Sequence, residues 1–184
     1  VLSFATAAGG ATSINGLSDA VADSTTLGLG SGALANDDGS SNLNTAVGLS
    51  ALNTMTSGSN NTAVGYFSLK NATISIDNVA IGVNTLLNNT SGSRQVAIGS
   101  GTLYTNTTGQ QNTGVGYQSL YNNTASNNTG VGGYALHTNT SGANNSSLGY
   151  FSLNANTTGS DNVAIGSSAL RRNTTASSNV AIGD

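Results

Sequence analysis

Residues 61–69 read Asn-Thr-Ala-Val-Gly-Tyr-Phe-Ser-Leu, and the same frame returns as Asn-Val-Ala-Ile-Gly-Val-Asn-Thr-Leu at 78–86 and Asn-Val-Ala-Ile-Gly-Ser-Ser-Ala-Leu at 162–170. Aligning on the glycine gives Gly48, Gly65, Gly82, Gly99, Gly116, Gly132, Gly149, Gly166 and Gly183, spaced 17 residues apart except for one spacing of 16, between Gly116 and Gly132. A fixed period of this length is the signature of a stacked repeat architecture. The missing residue falls in the polar stretch 122–128, and deletions are tolerated in connections, so a turn is predicted there.

Each column of the repeat has a physical reading. The residue before the glycine is always branched and apolar: Val47, Val64, Ile81, Ile98, Val115, Val131, Leu148, Ile165 and Ile182. The residue four after it is always leucine: Leu52, Leu69, Leu86, Leu103, Leu120, Leu136, Leu153 and Leu170. These two columns are the predicted core. The positions two before and three after the glycine are always small, which points to close backbone approach. An unbroken threonine column (Thr56, Thr73, Thr90, Thr107, Thr124, Thr140, Thr157, Thr174) sits within Asn-Thr-(Thr/Ser)-Gly, a turn composition.

Two short β segments per repeat, divided by a glycine bend and an Asn/Gly turn, predict an all-β fold: a parallel β-solenoid, or β-roll, of about nine 17-residue coils. A helix is excluded, because Gly, Asn and β-branched residues dominate and no stripe of 3.6-residue period survives. Coils stacked at about 4.8 Å would make a rod roughly 40 Å long. Residues 24–34 are a degenerate copy in which Leu29 and Leu34 flank Gly30, so the repeat domain is expected over 26–184 and residues 1–25 as an N-terminal cap, connector or assembly segment. The chain stops at Asp184 in mid-coil, where either the natural chain continues or another subunit packs.

Composition removes whole classes of function. Asn (26), Thr (24), Ser (26) and Gly (25) supply over half of the 184 residues, while Pro, Cys, Trp and Glu are absent. A formal charge of −3 provides no basic patch to displace counterions from a nucleic acid. The absence of cysteine excludes disulfide frameworks and thiolate chemistry and is compatible with any redox compartment. No apolar run reaches the ~18–20 residues that cross a bilayer, and the opening Val-Leu-Ser-Phe reads as a mature or excised terminus.

Two or three medium apolar groups per coil make a thin core, so backbone pairing and lateral association are expected to contribute to stability. Tyr66, Tyr117 and Tyr150 directly follow the glycine, with Phe67, Tyr134 and Phe151 beside them. These rings are too large for a narrow coil and are the candidate subunit interface.

With these columns in place, the repeats at 61–69, 78–86 and 162–170 resemble the head repeats of trimeric autotransporter adhesins, and are similar to segments of bacterial surface fibres and of phage and viral fibre proteins. The resemblance covers residues 26–184. It implies a left-handed roll, a homotrimer, an extracellular, cell-surface or virion location, and attachment to host matrix protein or glycan. This chain departs from the adhesin head in its longer Asn-Thr-Thr-Gly turn.

Chemistry-bearing residues are sparse. His137 is the only histidine and lies in a variable column with Asn53, Lys70, Leu87, Tyr104, Tyr121, Asn154 and Arg171, read as a solvent column. Asn36-Asp37-Asp38-Gly39 carries turn chemistry and oxygen ligands but not the spacing of a calcium loop, and reads as an insertion turn. Asp77, Asp161 and the pair Arg171-Arg172 read as solvated positions. The Val-Gly-x-x-x-Leu frame is no phosphate loop, having no following helix or lysine. Asn-x-Thr/Ser sequons at Asn71, Asn88, Asn106, Asn139, Asn156 and Asn173 follow from the turn motif itself. No catalytic, metal or cofactor residues are expected. The reading is a non-enzymatic structural or adhesive fibre segment, self-associating as a trimer or end to end. The alternatives are a phage or virus receptor-binding fibre, and an ice-binding solenoid presenting the threonine column.

Overall fold

In each coil a three-residue strand can turn only its middle side chain inward if its two neighbours are to face out, because side chains alternate along a strand. A computed structural model, which describes residues 20–22, 26–38 and 42–184, shows this arrangement repeated along the chain. The strands are β1 (Ala20–Ala22), β2 (Leu27–Leu29), β3 (Thr45–Val47), β4 (Thr62–Val64), β5 (Val79–Ile81), β6 (Val96–Ile98), β7 (Thr113–Val115), β8 (Thr129–Val131), β9 (Ser146–Leu148), β10 (Val163–Ile165) and β11 (Val180–Ile182). Strands β2 to β11 form one parallel sheet in sequence order, and β1 pairs antiparallel with β2. The chain is a parallel β-solenoid of about nine coils, with no helix among the described residues. Most of the expected segment 1–25 lies outside the described residues.

The register is uniform: Thr45 pairs with Thr62, Ala46 with Ala63 and Val47 with Val64, and so on along the rod. The short repeat keeps it, with Thr113 opposite Thr129 and Val115 opposite Val131. Its missing residue is absorbed in the turn, where the Asn127 N–H donates to the Gln110 carbonyl at 3.0 Å.

The interior corrects half of the expected core. The leucine column from Leu52 to Leu153 is fully buried, and Leu170, in the last coil, packs partly buried against it. The branched column is not core. Val47, Val64, Val115 and Val131 are half-buried, while Ile81, Ile98, Leu148 and Ile165 are 38–50% exposed. The small residue between the two outward positions occupies the interior instead, as with Ala46, Ala63, Ala80, Ala97 and Ala164. The coil is so narrow that leucine from the opposite wall fills the space a second branched side chain would need. Two coils carry glycine at this inward position instead: a Cβ at Gly114 would lie 2.5 Å from Cγ2 of Thr102, and one at Gly130 would lie 2.7 Å from Oγ of Ser119.

Two asparagine ladders fill the rest of the interior. One is the residue four before the glycine, from Asn44 through Asn61, Asn78, Asn112, Asn128, Asn145 and Asn162 to Asn179, with Gln95 in place of asparagine. In it each asparagine oxygen from Asn44 to Asn162 accepts the backbone N–H of the next coil's residue, as from Asn61 to Asn44 at 2.9 Å, and each asparagine amide reaches a turn carbonyl, as from Asn61 to Ser75 at 2.9 Å. The second comprises Asn89, Asn106, Asn123, Asn139 and Asn156, seven residues after the glycine; the Asn156 amide donates to Asn139 Oδ1 and to the Gly159 carbonyl, both at 2.9 Å. Gln95, one methylene longer, bridges the two ladders: its amide donates to Asn89 Oδ1 at 3.1 Å and its oxygen accepts from Asn106. Buried amides with complete partners replace the hydrophobic volume that the composition lacks.

The turns use left-handed backbone without relying on glycine alone. Every leucine of the core column has φ near 50°, for example Leu52 at 50° and Leu120 at 54°. A left-handed non-glycine residue costs about 1–2 kcal/mol, and burying a leucine returns about 1.5–3 kcal/mol. A turn bond then closes behind it, as from Met55 N–H to the Leu52 carbonyl at 3.2 Å. The repeat glycine is required for two reasons at once. Gly82 has φ 135°, and a Cβ on it would lie 2.9 Å from the backbone of Gly99 in the next coil.

Candidate functional surface

With the interior closed by Ala, Leu and Asn, function can reside only on the outer walls. The first wall is the outward face of the sheet. It carries Thr45, Thr62, Val79, Val96, Thr113, Thr129, Ser146 and Val163 in one column and the branched column in the other. At about 4.8 Å per strand and 3.3 Å per residue, the eight coils span roughly 34 Å and the two columns stand about 7 Å apart. The branched column is the apolar half of this face, and a continuous row of partly exposed apolar side chains marks a candidate interaction surface.

The second wall follows the glycine bend and carries the rings. Tyr104 and Tyr121 stack across neighbouring coils at 4.9 Å and 2°, and Tyr121 continues onto His137 at 5.3 Å and 15°. Beside this ladder Tyr134 stacks on Phe151 at 5.0 Å and 10°, with the Arg171 guanidinium 4.7 Å from the Phe151 centroid. Coil spacing and ring-stacking distance nearly coincide, so rings in one column meet face to face. Tyr117 and Tyr150 meet Tyr134 edge-on, at 80° and 74°. Tyr66 and Phe67 form a separate stack at 3.9 Å, with Lys70 Nζ 4.0 Å from the Phe67 centroid. Of the candidate interface residues, Tyr117, Tyr134, Tyr150 and Phe151 thus form one group and Tyr66 and Phe67 another.

Local electrostatics follow from this packing. His137 is half-buried against Tyr121 and Tyr134, and desolvation lowers its pKa below the ordinary 6.5. Desolvation raises the Tyr121 phenol, and the neighbouring Tyr104 and Tyr117 phenols add to it. No group of three or more His, Cys, Asp or Glu able to hold a metal ion occurs among the described residues.

The third wall is the turn edge. Its threonines are exposed but committed: Thr124 Oγ1 donates to the Thr140 carbonyl at 2.8 Å, Thr140 to Thr157 at 2.9 Å and Thr157 to Thr174 at 2.9 Å. Asp77 and Asp161 accept from Asn60 and Asn144 of the preceding coil, each at 3.1 Å. At the insertion turn, the Asn42 amide donates to Asp37 at 2.7 Å and Asp38 at 3.3 Å. The sequons divide by column. Asn106, Asn139 and Asn156 are ladder members with no exposed surface, whereas Asn71 and Asn88 lie half-buried on the outside.

No family model matches the chain, and neither does any curated protein or solved structure. No helix among the described residues is long and apolar enough to cross a membrane.

Sequence reasoning placed the rings on the surface but did not find the ladder made by Tyr104, Tyr121 and His137. The signal was present, since those residues occupy one column in consecutive coils. The outward strip was missed because its side chains were counted as core.

Proposed function

We propose that this chain is a rigid, non-enzymatic segment of an extracellular or cell-surface fibre that associates laterally with copies of itself, as a homotrimer, and serves a structural or adhesive role. The observation that carries the reading is the apolar strip: eight coils present Val, Ile or Leu outward at the same position, beside a Thr/Val column, on a rod whose own interior is already full. Three copies meeting along such strips would enclose a second apolar core running parallel to the three internal ones. The resemblance to trimeric adhesin heads supports the same arrangement, and a receptor-binding fibre of a phage or virus would use it equally. Ice binding is disfavoured, because the turn threonines donate their hydroxyls to backbone carbonyls rather than to solvent. Sedimentation equilibrium tests the proposal. The expected mass is three times 18.1 kDa; a single-chain mass for a protein with intact β-sheet circular dichroism would overturn it.

A further inference from the structure

Five of the chain's six tyrosines gather on the wall that follows the glycine bend, and one pair among them differs from the rest. Tyr117 and Tyr134 stand in neighbouring coils across the single 16-residue repeat, and the Tyr134 backbone N–H donates to the Tyr117 carbonyl at 2.9 Å. Their rings lie 5.3 Å apart with planes at 80°, and a side-chain hydrogen bond joins the two phenols. Phe151, stacked at 5.0 Å, and His137, at 5.5 Å, pack against Tyr134 and hold its ring. Tyr117 is 51% exposed and open to a reagent in solution.

We infer that Tyr117 and Tyr134 are a site of oxidative coupling, at which a one-electron oxidant, such as a haem peroxidase supplied with hydrogen peroxide, joins the two rings as dityrosine and fastens neighbouring coils covalently. Each phenol gives up one electron and its hydroxyl proton. The unpaired spin then lies on the oxygen and on the ortho and para ring carbons; the para carbon carries the side chain, so the ortho carbons couple. One carbon–carbon bond forms, and each coupled carbon passes its hydrogen as a proton to a phenolic oxygen, which restores both aromatic rings and both hydroxyls. The two electrons and two protons given up reduce one hydrogen peroxide to two waters. An ortho–ortho biaryl has twisted ring planes and adjacent hydroxyls, and this pair holds both features before any bond forms. The other tyrosines lack them. Tyr104 and Tyr121 are parallel at 2°, face to face in one column, where a biaryl would need its rings end to end; Tyr150 lies further from Tyr134, at 6.2 Å. A chain without cysteine has no disulfide with which to staple its coils, and this link would serve in its place.

The test is treatment of the purified protein with a haem peroxidase and limiting hydrogen peroxide, read by dityrosine fluorescence and by mass spectrometry of thermolysin peptides. Loss of two hydrogen atoms within one chain is expected, mapped to Tyr117 and Tyr134. The product should disappear in Tyr117→Phe and in Tyr134→Phe, which keep the rings and remove the hydroxyls, and persist in Tyr104→Phe and Tyr66→Phe; circular dichroism and melting temperature establish that each variant keeps the fold. In the coupled protein, amide exchange in β7 and β8 should slow relative to the untreated chain. Three results would overturn the inference: no dityrosine under conditions that couple free N-acetyltyrosine, a product mapped to another pair, or links formed chiefly between chains. None of these alters the mass of the untreated protein in solution, so the fibre reading and the coupling site stand or fall separately.

Discussion

Replacing Asn145 by alanine tests whether the asparagine ladders carry stability that a chain of 36% hydrophobic residues does not draw from its apolar core. The Asn145 amide donates to Asn128 Oδ1 at 3.1 Å and to the Gly159 carbonyl at 2.9 Å, and its oxygen accepts the backbone and side-chain N–H groups of Asn162, both at 3.0 Å. Asn145→Ala removes all four bonds. The Asn162 amide keeps the Ala176 carbonyl and Asn128 Oδ1 keeps the Asn145 backbone N–H, but the Asn162 N–H is left buried without a partner. Three of the lost bonds at about 1 kcal/mol each, plus about 1–3 kcal/mol for the orphaned donor of the fourth, give roughly 4–6 kcal/mol. That is the scale of truncating a buried leucine. A stacked-repeat chain can unfold in parts, so the assay is hydrogen exchange followed coil by coil alongside urea denaturation. Protection should fall most in the strands β8 to β10 that flank the substitution. Asn122→Ala, at a half-buried position outside both ladders, serves as the control and should change stability by no more than about 0.5 kcal/mol. A loss below about 1 kcal/mol for Asn145→Ala, or equal losses at the two sites, would refute the reasoning.

Other consequences follow from the same geometry. Gly82→Ala combines a disfavoured φ of 135° with a 2.9 Å approach to the Gly99 backbone, so it should destabilise by more than about 3 kcal/mol, read as a drop in urea midpoint. Thr140→Val deletes one exposed hydroxyl bond to the Thr157 carbonyl, which still accepts the Thr140 N–H at 2.9 Å; a loss of about 0.5–1 kcal/mol is expected in the same assay. His137 has its pKa lowered below 6.5 by burial, so its unfolded form takes up a proton before the folded one. Its contribution is complete above pH 6.5, declines as pH falls through 6.5 toward the folded pKa, and is constant below that. Melting temperatures of the wild type and His137→Asn at pH 8 and pH 5 should therefore differ in their pH dependence, the wild type losing more on acidification.

The architecture was legible because the 17-residue glycine spacing is a property of the backbone, and the leucine column leaves one assignment open to it. The inward or outward sense of the strand was not legible from hydrophobicity alone. Ala46 and Val47 are both apolar neighbours, and which one enters the coil depends on the coil's width, set by side chains from across the interior. The asparagine column was as regular as the leucine column, yet composition associates asparagine with turns. Its interior role appears only when each amide finds a carbonyl one coil away. The aromatic residues were correctly placed outside a narrow coil. Their division into parallel stacks and edge-on pairs depends on ring orientation, which no column of letters contains.

Lateral association through the branched strip is the central claim, and the lack of native cysteine allows it to be tested directly. Ile98→Cys places a thiol on the strip and Asn127→Cys places one on the exposed turn edge. Under mild oxidation, the account predicts covalently linked chains from Ile98→Cys at low protein concentration and none from Asn127→Cys. Linkage that is absent at position 98, or equal at the two positions, would contradict it.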